Sequence, residues 1–198
     1  MNLAIEKSHP RSSRTIWTIV STALLAVACT ALIAQTSMER PAHKTGGPLP
    51  SPAATANVNV AGGTVGIHYN TPHLRGRHVG GTEIVPYGQV WRTGANPATT
   101  IVTSVPLKFG DLLVPAGTHT IYSLPTADAW TLILNNETGQ WGTEYKPEMD
   151  LGRVLMKVKA MTTPQEVMSL SFENTTTNST EFHIRWETTD RYVTITKP

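Results

Sequence analysis

The stretch TEFHIRWETTDRYVTITK, residues 180–197, limits the fold more than any other part of the chain. Phe182, Ile184 and Trp186 fall at every second position, with His183, Arg185 and Glu187 between them. A period of two places the apolar set on one face of a strand and the polar set on the other, which no helix reproduces. Thr188, Thr189 and Asp190 read as a turn, and Val193 and Ile195 continue on a returning strand. A ribbon with one apolar face must bury it against further sheet.

The same pattern extends upstream. VNVAGGTVGIHY gives two runs about Gly62 and Gly63, and TTIVTSVPLKFG leads through Asp111 to LLVPAGTHTIYSLP, with a turn at Pro115, Ala116 and Gly117. AWTLILN follows, and in GRVLMKVKA the residues Val154, Met156, Val158 and Ala160 alternate with Leu155, Lys157 and Lys159, as in a half-buried strand. Met168, Leu170 and Phe172 share a face of EVMSLSFEN. About nine short strands with closely spaced turns predict an all-β domain, an antiparallel β-sandwich or flattened barrel. Trp130 and Trp186 lie inside strand patterns and are expected in its core.

The N-terminus is of another kind. Lys7, Arg11 and Arg14 precede IWTIVSTALLAVACTALIA, residues 16–34, which carry no charge. Basic residues held in the cytoplasm ahead of an apolar segment are an export signal. At 1.5 Å per residue the segment spans roughly 28 Å, about a bilayer core. Three fates stay open: a retained anchor, cleavage after AVA (residues 26–28), or lipidation at Cys29, because AVAC resembles a bacterial lipobox. The expected division is a basic n-region at 1–15, a hydrophobic signal or anchor helix at 16–34, a flexible linker at 35–56 and a β domain at 57–198. The linker is rich in proline, glycine, serine and threonine. All three fates put the β domain outside the cytoplasm, in the cell envelope or secreted, with the N-terminal segment making the membrane contact.

Charge and cysteine usage narrow the partners. The net charge of +2 resides wholly in the first 40 residues, so the β domain is neutral and has no basic stripe for nucleic acid. Cys29 is the single cysteine, so no disulfide can form within the domain, and its stability must come from a core.

The most suggestive segment is VPYGQVWRTGANPATTI, residues 85–101. Arg92 offers a planar fork of donors suited to a carboxylate or phosphate. Asn96 precedes Pro97, which biases it toward extended backbone with its amide free. Trp91, and Trp141 in TGQWGTEY, stand beside glycine, where an indole can wall a pocket or plug the end of a sandwich. Arg75 and Arg77 in PHLRGRHVGG add further cationic forks. A structural role remains open for each, since loop carbonyls also need donors.

Other chemistries find less support. His68, His73 and His78 recur at a five-residue spacing that fits neither a helix face nor a strand, so no metal site is expected. There is no nucleophile elbow, phosphate loop or dinucleotide fingerprint, and no cofactor is expected. Glu83, Glu144, Glu148 and Asp150 are available as acid or base, but their spacing singles out no pair.

GRHVGGTEIVPYGQVWRTGANPATTI, LLVPAGTHTIYSLPTADAWTLILNNETGQWGTEY and MSLSFEN before FHIRWETTDRYVTI resemble a bacterial family of unknown function, DUF2911. The likeness runs from about Val58 to Thr196. The resemblance implies Gly76 and Arg77, Pro86 to Gly88 including Tyr87, Trp91 to Asn96 including Thr93, Pro115 to Gly117, Trp130, and Gly139 to Gly142 with Trp141 as signature positions. It also implies an exported bacterial β domain, and it supplies no reaction. Three readings follow. A binding module would present Arg77, Tyr87, Trp91, Arg92, Thr93, Asn96 and Trp141 to a small anionic or sugar-like ligand. A structural envelope protein would use the same residues to knit its loops. A hydrolase-like enzyme would draw Glu or His from them.

Overall fold

The computed structural model describes residues 50–198. The expected hydrophobic helix, Cys29 and most of the linker lie outside the described residues. Among the described residues no helix is long and apolar enough to cross a membrane.

Alternating sequence becomes strand almost throughout. β1 (Ala53–Val60) and β2 (Gly63–Asn70) form a hairpin closed by Ala61 and Gly62 at φ +56° and +80°, the left-handed pair that a two-residue turn requires. β3 (Thr99–Thr103) extends this sheet, and the chain then crosses to a second sheet for the short hairpin β4 (Leu107–Phe109) and β5 (Leu112–Val114). It returns for β6 (Gly117–Pro125), β7 (Trp130–Asn135) and β8 (Asp150–Leu155), then crosses again for β9 (Lys157–Val158), β10 (Gln165–Glu173), β11 (Ser179–Glu187) and β12 (Thr189–Thr196). One sheet has the order β1-β2-β3-β6-β7-β8, the other β10-β11-β12-β4-β5, with β9 also on β12, and every pairing is antiparallel. The only helical turn among the described residues is a 3-10 turn at Pro147–Met149.

The two sheets face each other as a sandwich and do not close into a barrel. Their inner faces meet in one core, and three indoles mark one region of it. Trp91 stacks on Trp186 at 6.1 Å and meets Trp130 edge-on at 5.9 Å. Such geometries add about 0.5–1.5 kcal/mol per pair beyond simple burial. Phe182, Ile184 and Trp186 are all buried, as their alternation requires.

Three local expectations are corrected. Residues 154–160 are not one half-buried strand: β8 ends at Leu155, Met156 turns into the core, and β9 joins the other sheet, leaving Val158 62% exposed. Alternation is indifferent to which sheet a strand joins, so the crossover left no mark in the pattern. Asp190 is not a turn residue but a buried member of β12. Finally, β1 begins at Ala53, inside the segment expected as linker, where Ala54 and Ala56 pack against the core beside Val58.

Candidate functional site

Residues 85–101 are organised by one strand edge. Trp91 N donates to Ser123 O on β6 at 2.7 Å, and Ser123 N donates back to Trp91 O at 2.8 Å. Thr99 resumes the ladder opposite Ile121. Residues 92–98 therefore leave the sheet as a loop whose two ends are held on neighbouring positions of β6. Thr99 Oγ1 donates to Thr93 O at 2.8 Å and closes the neck, while the Thr93 and Ser123 hydroxyls bond at 2.8 Å. Thr93 sits at φ +53°, a strained conformation for a β-branched residue that these bonds hold in place. Asn96 is not extended: its φ is +62°, a region asparagine tolerates, and its amide donates to Ser51 O at 3.2 Å.

A second loop fastens onto the first. Ala98 N donates to Gln140 O at 3.3 Å, and Gly142 N to Asn96 O at 3.1 Å. Gln140 Nε2 donates to Tyr122 Oη at 3.0 Å, and Tyr122 Oη donates to Glu144 O at 2.9 Å. The loops thereby cover the outer face of the first sheet, where Ala98, Tyr122 and Ile133 form a small core of their own with Val90, Leu124 and Tyr145.

Since Trp91 turns inward, Arg92 turns outward into this layer. It lines a cavity of about 260 Å³ together with Glu83, Ile84, Val90, Gly142 and Tyr145, and Trp91 contributes to its wall. The Arg92 side chain is half-buried, and its Nε is buried without a hydrogen-bond partner. No carboxylate pairs with it among the described residues, and burial pushes its pKa below the ordinary arginine value. Burial also raises the Tyr122 pKa. Tyr145 is pushed up to about 12, by burial first and then by its hydrogen bond to Asp150. Its hydroxyl donates to Asp150 Oδ2 at 2.7 Å and accepts from Arg153 at 2.9 Å. Both phenols are therefore protonated at neutral pH and already engaged; Tyr145 lines the cavity, and Tyr122 packs edge-on against the Tyr145 ring at 4.9 Å.

The remaining expected site residues divide. Thr93 and Asn96 set the loop backbone. Arg77 donates from Nε to Leu74 O and from Nη2 to His73 O, both at 3.0 Å, and so braces its own loop. Tyr87 is 44% exposed and lies over Gly80 and Gly81, and Trp141 is half-buried in a bridge with Pro97. Arg77, Tyr87 and Trp141 do not line the cavity. His68 is exposed on β2, His73 lies at a bridge with Val167, and His78 bonds Glu187. In the sequence Glu83 is one carboxylate among several, and no motif or spacing marks Tyr145.

Two other polar features help define what is unusual about Arg92. Arg191 also has a buried Nε without a partner, but its guanidinium lies over the Trp130 ring at 6.0 Å, which gives the charge a π face. On the outer face of the second sheet, His183 is fully buried between Asp190 at 2.7 Å and Glu181 at 3.3 Å. Arg185 donates to Asp190 Oδ2 at 2.7 Å and holds Glu173 with both Nη atoms, and Tyr192 stacks on His183 at 5.0 Å. Each of those side chains is engaged, so that network knits strands together. Arg92 has neither a carboxylate nor a ring of this kind.

No curated protein and no solved structure matches the chain significantly. The family model described as "Protein of unknown function (DUF2911)" matches residues 51–195, the whole sandwich and both loops over Arg92. The chain belongs to the DUF2911 family.

Proposed function

We propose that this domain is a binding module of the cell envelope whose Arg92 holds the carboxylate end of a small ligand. The observation that carries the reading is the buried Arg92 Nε without an acceptor, at the wall of a cavity. An unsatisfied buried donor costs about 1–3 kcal/mol, more for a charged group. A ligand oxyanion would supply the missing acceptor and meet the guanidinium in its preferred planar geometry. The cavity, about 260 Å³, is below the roughly 300–1,000 Å³ of sites for drug-sized molecules, so the ligand has only a few heavy atoms. The strained Thr93 next to Arg92 fits a site whose local geometry is held at a cost.

Arg92→Lys tests the reading. Lysine keeps the charge but loses the fork, so the fold should survive with a nearly unchanged melting temperature. The stabilisation of the full chain by millimolar propionate should disappear. Marked destabilisation without any propionate response in the wild type would leave Arg92 as a loop brace and the domain as a structural protein.

The envelope location rests on residues 16–34. Full-mass protein that stays with membranes after a high-salt wash supports a retained anchor. Soluble protein beginning at or after Cys29 excludes it, and diacylglyceryl on Cys29 identifies a lipoprotein.

A further inference from the structure

The cavity holds a second charge. Glu83 is exposed at its wall, and no hydrogen bond or ion pair engages its carboxylate among the described residues. It does not pair with Arg92. The cavity thus presents one cation and one anion that do not pair with each other, with apolar Ile84 and Val90 also in its wall. Opposite charges left unjoined in a partly desolvated space attract ligands of complementary charge pattern and penalise the wrong ones. A dianion such as phosphate gains from Arg92 but is repelled by Glu83. A ligand carrying both a carboxylate and an ammonium satisfies both residues and brings no net charge into the cavity.

We infer that the cavity selects a zwitterion, a small amino acid whose carboxylate lies on Arg92 and whose ammonium is taken by Glu83. This rests on the carboxylate-binding reading of Arg92 and adds the choice of ligand class. Arg92 supplies the fork that a carboxylate fits. Glu83 supplies an acceptor-only group, which an ammonium donates to and a simple acid cannot use. Ile84 and Val90 provide apolar contact for a short aliphatic side chain. Because Glu83 stands at the solvent side, its contribution is that of a part-exposed charge pair. It sets preference among acids more than it sets total affinity.

The test compares each amino acid with the acid that lacks its amino group, by calorimetric titration of the full chain. L-alanine and β-alanine are set against propionate, L-valine against isovalerate, and inorganic phosphate serves as the dianion. At least one amino acid should bind about fivefold to tenfold more tightly than its deaminated acid, as a charge-assisted hydrogen bond allows. Phosphate should be weaker than that amino acid. Glu83→Gln, at an exposed position, should keep the wild-type melting temperature and erase the preference while leaving the acids bound. If the acids bind and no amino acid binds better, or phosphate binds best, the zwitterion inference is overturned and the carboxylate reading stands. A preference that survives Glu83→Gln overturns the role of Glu83. If neither acids nor amino acids bind, both readings fall together.

Discussion

A Cβ placed on Gly142 would lie 2.6 Å from the backbone oxygen of Asn96 and overlap the Cδ of Arg92. The two loops over the first sheet therefore meet where no side chain fits, and the hydrogen bond from Gly142 N to Asn96 O fixes the approach. The position of Arg92 depends on this glycine. Gly142→Ala must lift one loop or expel the arginine, and backbone cannot yield as a flexible side chain can. The expected loss is about 1–3 kcal/mol, the range for overpacked sites, read as a lower urea midpoint. The propionate response should go with it. An unchanged midpoint would mean that the loops separate freely.

Arg92→Met removes the charge and keeps an unbranched chain able to follow the same path past Gly142. A half-buried cation without a partner contributes nothing to stability that methionine lacks. The variant should be as stable as the wild type or more so by up to about 1 kcal/mol, while losing ligand response, the usual relation where a binding residue is held at a cost. A loss above about 2 kcal/mol in denaturant melts would place Arg92 among the structural residues.

How much of this was legible in the sequence differs between fold and site. The sandwich was, because Phe182, Ile184 and Trp186 can alternate only on a strand, and paired strands must cover their apolar faces. The change of sheet at Met156 was not, since the same alternation serves either sheet. The importance of residues 91–96 showed in their chemistry, but the orientation of each side chain did not. Trp91 goes inward and Arg92 outward because Trp91 is laddered to Ser123, a contact fixed by sheet topology. The cavity was hidden for a similar reason. Arg92, Gly142 and Tyr145 are brought together by two loops clasped across β6 and β7, Glu83 joins them from the segment ahead of Trp91, and no local period records such a clasp. The bias of Asn96 toward extended backbone was overridden by that same clasp.

The core makes a simpler prediction. Trp186 is buried, stacks on Trp91 and donates from Nε1 to Glu166 O at 3.1 Å. Trp186→Ala opens a cavity, removes the stack and takes one of two donors from that carbonyl, which keeps Leu74 N at 3.0 Å. The expected cost is about 3–5 kcal/mol, seen as a large fall in melting temperature. Stability within about 0.5 kcal/mol of wild type would contradict the packing of β11 against the first sheet.

Acid should unfold the domain partly through Glu173. The two nitrogens of the Arg185 fork, helped by Lys159 at 3.2 Å, lower its pKa from 4.5 to about 2, against burial, which acts the other way. A depressed folded-state pKa means that the unfolded chain takes up the proton first. The stabilisation is therefore complete above the unfolded value near 4.5 and is lost as pH falls toward about 2. The Glu173 side chain is 25% exposed, so solvent screening trims the contribution to on the order of 2–3 kcal/mol. Urea midpoints of the wild type should fall across that window. Glu173→Gln should start lower at neutral pH and show a flatter decline, because glutamine neither pairs as an anion with Arg185 nor takes up a proton. If Glu173→Gln keeps the full wild-type slope below about pH 4.5, the acid sensitivity belongs to other carboxylates, and the Arg185 fork does not hold Glu173 as described.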